Sequence, residues 1–389
     1  VWKFTGTSTL TGVVTLNGGR LVVDALTNGN TAGLLGASSA VASNLVFGGG
    51  TLTYGGPAVS FDRLFTLAPG NSGIESSGTG ALTFTGSVGA TNGQTSQNRS
   101  LTLGGTFVGA SNVMSLALSD AGTGLTSLIK AGPGTWTLTG TSSFTGGATI
   151  ENGNLFVTNA AVSVGGLGNG SAATSVVRLG NANSTGDVRL NLGNEAGTLA
   201  GLNLANPIVV SDLNASCNAI VASTNTSGTN ALTGPITLGA TADTGKSLTL
   251  AVAAGGTLAV AGQVRANGAD VSAGIATQNS TGSGNAIITL SAANTYAGGT
   301  TINTSGSLVL AGNDRLLTTG NLTLNAGTFN LGGYAQTLVA VTQTGGLISN
   351  GSLSFTSLEL QAGTADAVLA AGAVTKKTGG TSTLNAANT

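Results

Sequence analysis

Acidic residues are the main candidates for catalysis in this sequence, because the chain has no histidine. Without histidine there is no imidazole base, no histidine metal ligand and no histidine-dependent triad. A polysaccharide lyase or hydrolase would need carboxylates that converge on one cleft. The best-placed pairs are Asp187 with Glu195 and Asp212 with Asp243. The acidic residues are otherwise dispersed, so the sequence predicts no catalytic residue, although a fold that stacks distant segments could bring carboxylates together.

Two similar tripeptides, Asp62-Arg63-Leu64 and Asp314-Arg315-Leu316, each precede a strand-like segment. One interpretation is a pair of side chains that contacts a saccharide. The interpretation we favour is a local ion pair on the surface of a corner. Cys217 is the one cysteine, so no disulfide within the chain is possible, and its Ser/Asn/Ala surroundings predict a buried small residue rather than a nucleophile.

Two glycine-rich stretches resemble ligand-binding loops without their key residues. Gly165 to Gly170 lacks the aspartate of a calcium-binding nonapeptide, and Gly104-Gly105-Thr106 lacks the lysine of a phosphate loop. We interpret both as turns. The sequence therefore predicts no cofactor and no metal site.

Charge is scarce along the whole chain, which limits the possible partners. Only 6% of the 389 residues are charged, against roughly a quarter in an average domain, and the net charge is −1. There is no basic face for nucleic acid. The mean hydropathy is +0.33, yet the longest stretch without a polar side chain, Ala367 to Val374, is far below the ~18 residues of a spanning helix, so no membrane span is predicted. Residue 1 is Val, so we expect a processed chain or a segment of a larger protein.

The apolar residues recur with a period of two rather than 3.6. Leu248, Leu250 and Val252 alternate with small or polar neighbours, and Leu322 and Leu324 do the same. This alternation places the apolar side chains on one face of an extended strand. Each run lasts four to six residues before Gly, Asn or Ser interrupts it, and no helix of ten residues is predicted.

Internal repetition selects the architecture among all-β folds. Copies of one pattern begin near residues 1–24, 128–158 and 286–310, and a truncated copy occupies 374–389. A short coil cannot bury its apolar face alone, whereas stacked coils can, with inward ladders of Leu, Val, Ile and Phe. The sequence therefore predicts one continuous β-solenoid over 1–389. Because the copies are unevenly spaced, we expect the register between coils to drift.

The second copy carries a recognisable motif. It reads Leu128-Ile129-Lys130-Ala131-Gly132-Pro133-Gly134-Thr135-Trp136-Thr137-Leu138, followed by an aromatic residue and Gly146-Gly147-Ala148-Thr149. This motif resembles the autotransporter-associated β-strand repeat, and the four copies cover about a quarter of the chain. The resemblance implies a right-handed parallel β-helix (an all-β β-solenoid) exported by bacteria. It implies little about a ligand.

Phe144 and Tyr296 occupy equivalent repeat positions, with Leu10 in the first copy, which predicts packing in the core or at a corner rather than a sugar-stacking platform. Leu138 and Leu290 are expected to point inward. Thr137 is expected to point outward to solvent.

Three classes of function remain open at this point. The first is an extracellular or cell-surface structural protein that builds a fibre or matrix, and it is the function we predict. The second is an adhesin whose outer Thr/Asn-rich face binds carbohydrate, a host surface or ice. The third is a polysaccharide-degrading enzyme, which the missing histidine argues against.

Self-association end to end is the partner that the sequence predicts. Strand-like sequence starts at Trp2 and the repeat at 374–389 is cut short, so neither end shows a cap. Open coil ends recruit further strands. The alternative is that the chain is part of a longer polypeptide in which the next coil is covalent.

Overall fold

Alternating apolar and small polar residues form short parallel strands in the computed structural model. It describes residues 1–86, 91–92, 96–159, 167–170, 174–211, 217–239, 246–268, 272–282, 284–303, 305–370, 372–377 and 379–386. Among these residues the only helix is one 3-10 turn, Ala42–Asn44, so the predicted all-β fold is confirmed. The chain divides into two compact units, Val1–Leu190 and Asn191–Thr389.

The described part of unit 1 contains seventeen strands, and an eighteenth crosses its boundary. They are β1 Trp2–Lys3, β2 Val14–Leu16, β3 Arg20–Val23, β4 Leu45–Phe47, β5 Thr51–Tyr54, β6 Val59–Phe61, β7 Thr66–Leu67, β8 Gly70–Ser76, β9 Leu82–Phe84, β10 Thr91–Asn92, β11 Arg99–Gly104, β12 Asn112–Met114, β13 Thr126–Lys130, β14 Thr135–Leu138, β15 Ala148–Ile150, β16 Gly153–Val157, β17 Val177–Leu179 and β18 Val188–Leu192.

Unit 2 contains the remaining strands, two of which are much longer than the others. They are β19 Asn203–Leu204, β20 Ile208–Val210, β21 Ala219–Ser223, β22 Thr229–Leu232, β23 Ile236–Leu238, β24 Leu248–Ala253, β25 Thr257–Val260, β26 Val264–Ala266, β27 Ile275–Thr281, β28 Ile287–Leu290, β29 Thr300–Ile302, β30 Ser307–Leu310, β31 Asn321–Leu324, β32 Thr328–Gln343, β33 Leu347–Leu360, β34 Gly363–Ala365, β35 Val368–Ala370, β36 Ala373–Lys376 and β37 Ser382–Leu384.

The strands of unit 1 lie above one another in three stacks. Stack 1 contains β1, β3, β5, β8, β11, β13, β15 and β17, stack 2 contains β2, β4, β7 and β10, and stack 3 contains β6, β9, β12, β14 and β16. Neighbours within a stack come from successive turns of the chain and pair in parallel, as β13 does with β15 and β14 with β16. Unit 1 is therefore a parallel β-helix, as the sequence predicts.

Unit 2 repeats this construction. Stack 4 contains β19, β22, β25, β28 and β30, stack 5 contains β21, β24, β27, β29 and β31, and stack 6 contains β20, β23 and β26. The long strand β32 pairs with both β30 and β31, so stacks 4 and 5 share this strand and then β33. The last coil pairs β36 with β33 and β37 with β34.

Inward ladders of apolar side chains form the core. In stack 1, paired residues from successive coils are 0–5% exposed, namely Leu21, Leu52, Ile74, Leu103, Lys130, Ile150 and Leu179. The inward positions expected for Leu138 and Leu290 are confirmed, at 4% and 0% exposure. Thr137 departs from the expectation, because it is only 7% exposed and its hydroxyl donates to Ser111 Oγ at 2.8 Å.

The coils of unit 2 shorten along stack 5. At one end of the stack Ala219 pairs with Leu248, whereas at the other end Leu358 pairs with Val374, so the chain between paired residues shortens by almost half. The intermediate pairings along the same ladder join Leu248, Ile275, Thr300, Leu322, Val341 and Leu358. The strands along this ladder therefore remain paired while the loops that connect them become shorter.

Corners are closed by glycine and by buried side-chain amides. Gly153 has φ +73°, and an added Cβ would lie 2.7 Å from the carbonyl oxygen of Gly132, so both conformation and space require glycine. Beyond β26 the amide of Asn294 continues the inter-coil hydrogen bonds: its oxygen accepts from Val264 N at 2.7 Å and its nitrogen donates to Arg315 O at 2.9 Å. Buried amides thus replace strand pairing where stack 6 ends.

The repeat copies do not stay on one face of unit 1. Trp2 aligns with Trp136 in sequence, yet Trp2 lies in stack 1 and Trp136 in stack 3. These two copies therefore begin on different stacks, while the drift of register expected between coils stays a prediction. A single continuous solenoid over 1–389 stays a prediction.

Candidate functional surfaces

Two of the four carboxylates considered for catalysis lie in the described residues. Asp187 and Glu195 are both exposed and belong to different units, while Asp212 and Asp243 lie outside the described residues. No group of three or more Cys, Asp or Glu side chains in the described ranges is placed to hold a metal ion. Cys217 is buried, as expected.

One of the two glycine-rich stretches is described in full. Gly105 directly follows β11 with φ +110°, and an added Cβ would collide with the backbone of Ser76, which agrees with the predicted turn. In the other stretch, Gly165 and Gly166 lie outside the described residues. Its interpretation as a turn therefore stays a prediction.

The two Asp-Arg-Leu tripeptides join neighbouring turns of the chain instead of forming the ion pairs that we favoured. Their alternative role in saccharide contact stays a hypothesis. Arg63 is 2% exposed, and its guanidinium donates to Ser38 Oγ and to Gly36 O, both at 2.7 Å. Asp62 accepts from Gly29 N at 2.8 Å. In the second tripeptide Asp314 accepts from Thr337 N, and Arg315 donates to a neighbouring coil's carbonyl. Each acid and each arginine therefore binds backbone groups of other turns instead of its neighbour.

Lys130 is the most unusual side chain of unit 1. It occupies an inward position of the stack 1 ladder with no exposed surface. Its Nζ donates to the carbonyl oxygens of Ala131 (3.0 Å), Gly132 (2.7 Å) and Asn152 (2.8 Å), so one ammonium joins two successive turns. Burial lowers the pKa of Lys130 to about 7, against a smaller opposing effect of Glu151.

Arg63, Arg99 and Arg189 are further cations whose pKa is lowered by burial. Arg99 donates to the carbonyl oxygens of Leu67 at 3.0 Å and Gln97 at 2.9 Å. Like Arg63 and Lys130, it interacts with backbone carbonyls at a turn. Arg63, Arg99 and Lys130 therefore each stabilise a contact between different turns of the chain.

The aromatic repeat positions are core positions, as predicted. Phe144 and Tyr296 are 0% and 2% exposed. The Tyr296 hydroxyl lies 2.8 Å from Thr300 Oγ1, and burial raises its pKa. Leu10, the equivalent residue of the first copy, is 75% exposed because it belongs to the outermost turn of unit 1.

Three inward ladders end in an exposed apolar residue in an outermost described coil. In stack 1, Trp2 pairs with Leu21 and is 74% exposed, whereas Leu21 is 5% exposed. In unit 2, Val374 is 50% exposed, whereas its paired residue Leu358 is 1% exposed. Likewise Leu384 is 44% exposed, whereas its paired residue Ala365 is 1% exposed. Apolar side chains of inner coils are covered by the next coil, and these three residues lack that cover.

A row of polar side chains lies on the outer side of stack 5, and we call it the Thr–Asn face. Its first column is Thr301, Thr323 and Thr342, which pair directly with one another in successive coils. Its second column lies two residues further along each strand: Asn303, Asn325 and Thr344. Asn325 Nδ2 donates to Asn303 Oδ1, and Thr344 Oγ1 donates to Asn325 Oδ1, both at 2.8 Å.

Ionic groups contribute little to this surface. Glu359 follows Thr342 in the first column and forms an ion pair of 2.6 Å with Lys377. That hydrogen-bonded ion pair lowers the pKa of Glu359. Ion pairs in unit 1 join Lys3 with Asp24 and Arg20 with Glu75. Across the described ranges no helix is long and apolar enough to cross a membrane.

Comparison with known proteins agrees with the repeat motif. Residues 1–23, 128–155 and 281–310 match the family described as passenger-associated-transport-repeat. The "Adhesin BmaC autotransporter" of Brucella suis biovar 1 (strain 1330) is 47% identical over 134 residues, which are 34% of this chain and 4% of that relative. The chain therefore corresponds to a small part of that relative's length. No solved structure matches.

The β-helix and its repeats indicate an exported surface protein, and the repeats are similar to those of autotransporter passengers. The chain carries three matched passenger repeats, and its location is the bacterial surface or the extracellular medium. The three matched segments overlap the copies predicted near 1–24, 128–158 and 286–310, whose bounds stay a prediction. The copy predicted at 374–389 lies outside the matched segments and stays a prediction.

Sequence reasoning missed the buried cations. A signal was present, because Lys130 follows Leu128 at the strand period of two and therefore had to share its inward face. The side-chain columns of the Thr–Asn face were not predictable, because the residues that align depend on the length of every coil between them.

Proposed function

We propose that this chain is a structural length of a bacterial surface fibre whose coils extend by stacking end to end. The observation that supports the proposal is that the inward ladders continue with apolar residues into the outermost described coils. Trp2, Val374 and Leu384 continue ladders whose inner members are buried, so a further coil of the same kind would meet a surface already shaped to receive it.

The energetics favour such stacking. A tryptophan side chain buries about 200 Å² at roughly 25 cal/mol per Å², so covering the exposed three-quarters of Trp2 would contribute on the order of 3 kcal/mol. The unpaired backbone groups of β1, β36 and β37 would form inter-strand hydrogen bonds at the same time. A head-to-tail contact of this kind does not close, so it produces a filament rather than a ring.

Sedimentation velocity over a wide concentration range, with electron microscopy of the same samples, tests the proposal. We expect filaments that lengthen with concentration. Trp2→Lys and Val374→Lys should each abolish them, since either change places a charge in the stacked ladder. Val339→Lys is the matched control, because Val339 is 40% exposed on the side of a coil and not at its end.

A purified chain that stays monomeric at every concentration would refute non-covalent stacking. Denaturing electrophoresis of surface material separates the two origins of a fibre. A band near 37.2 kDa indicates stacked separate chains, and a much larger band indicates one polypeptide with covalently continuous coils.

A second candidate function is adhesion, which the adhesin relative favours. In this role the β-helix presents an outer face to a surface, and no catalysis is needed. Beads coated with the chain should adhere to the recognised surface and leave its polysaccharides intact. Release of sugar by the chain, lost on substitution of one carboxylate, would instead support the enzyme alternative.

A further inference from the structure

We propose that the Thr–Asn face binds a linear, uncharged polysaccharide that lies along the stacking direction of the coils. This inference rests on the adhesive role proposed above and names its ligand class. It is carried by the arrangement of the two columns, Thr301–Thr323–Thr342 and Asn303–Asn325–Thr344.

The first column offers free hydrogen-bonding groups. In the described part of the chain, the hydroxyls of Thr301, Thr323 and Thr342 have no hydrogen-bond partner. Each hydroxyl can donate one hydrogen bond and accept two. Because these threonines pair directly across parallel strands, their hydroxyls repeat about every 4.8 Å. A polymer with regularly spaced hydroxyl groups that lies along this column could therefore form a hydrogen bond with a threonine hydroxyl in each coil.

The side chains of the second column are hydrogen-bonded to one another in the absence of a ligand. Asn325 is bonded to Asn303 on one side and to Thr344 on the other, so its amide is fixed in one orientation. It lies about 6.6 Å from the first column, two residues along a strand. Fixed side chains lose little conformational freedom on binding, which favours affinity.

The chemistry of the face selects the ligand class. Glu359, which continues the first column, and its partner Lys377 neutralise each other, so this ion pair offers an anionic ligand no net attraction. The two columns contain no aromatic or large apolar side chain, which are the usual anchors of a protein partner. A neutral ligand with many hydroxyl groups matches the remaining donors and acceptors.

Binding to hydroxyethylcellulose, measured by affinity electrophoresis in low and high salt, tests the proposal. We expect binding that salt does not weaken. Thr323→Val keeps the β-branched shape and removes one hydroxyl, so the affinity should fall about three- to tenfold. The triple variant Thr301→Val, Thr323→Val, Thr342→Val should lose binding. Thr289→Val is the matched control, because Thr289 lies alone on the outer side of stack 4, between Ala259 and Val309.

Three results would overturn the assignment: no binding to the neutral polymer, equal binding by the triple variant, or salt-sensitive binding to polygalacturonate alone. Bead adhesion distinguishes this failure from failure of the adhesive role. Beads that adhere equally well with the triple variant leave adhesion standing and refute this face. Beads with the unaltered chain that adhere to no surface refute the adhesive role itself.

Discussion

Replacing Lys130 with methionine should remove a pH dependence of stability that one buried ammonium creates. In the unfolded chain a lysine titrates at about 10.4, whereas burial lowers the pKa of Lys130 in the folded chain to about 7. Between these two values the unfolded state binds more protons, so the free energy of unfolding rises with pH. The lysine's unfavourable contribution is complete below pH 7 and absent above the unfolded value.

The size of the effect follows from the shift. One pKa unit corresponds to about 1.4 kcal/mol, so the unaltered chain should gain about 3 kcal/mol relative to Lys130→Met between pH 6.5 and 9.5. The absolute stability of Lys130→Met depends on two opposing effects. Methionine removes the buried charge but leaves the carbonyls of Ala131, Gly132 and Asn152 without the Nζ donor.

Urea unfolding at a series of pH values, followed by circular dichroism, measures this difference. Lys3→Met is the control, because the Lys3 side chain is 60% exposed. The free energy of unfolding of Lys3→Met should change with pH in the same way as that of the unaltered chain. If the free energy of unfolding changes with pH equally in the unaltered chain and in Lys130→Met, the Lys130 ammonium is not desolvated in the folded state.

Three further predictions concern stability and are measured by the same unfolding assay. Leu290→Ala should cost about 2–5 kcal/mol, whereas Thr289→Ala, on the opposite face of the same strand, should stay within about 0.5 kcal/mol; equal costs would contradict the face assignment. Asn294→Leu should cost about 1–3 kcal/mol because it leaves the buried backbone N–H of Val264 without its acceptor. Gly153→Ala should destabilise the chain, and Gly18→Ala, with ordinary φ and nothing within 4 Å of the new Cβ, should not.

The local alternation of side chains was sufficient to predict the strands and the class of fold. Leu248, Leu250 and Val252 are fully buried as their period of two requires, and Leu322 and Leu324 follow the same rule. Parallel stacking followed from the repeats, because a short coil needs a neighbour to cover its apolar face.

Exposure of the outward residues was less predictable. Thr137 faces away from Leu138 as the alternation requires, yet Ser111 lies against it. Whether an outward side chain is covered depends on a loop from a different turn of the chain, and no local pattern contains that information. Arg63 illustrates the same limit, since an adjacent Asp62 suggested an ion pair while the fold offered carbonyl groups from another turn.

The shortening of the coils along stack 5 has a genetic consequence. The long coil that joins Ala219 to Leu248 and the short coil that joins Leu358 to Val374 maintain the same strand pairing, so insertions and deletions between strands leave the ladder intact. A gene for such a protein can gain or lose whole turns by unequal recombination between its similar repeats, and the product still folds because each turn needs only its two neighbours. Reach from the cell surface then becomes a trait that changes by copy number, without any new interface having to evolve.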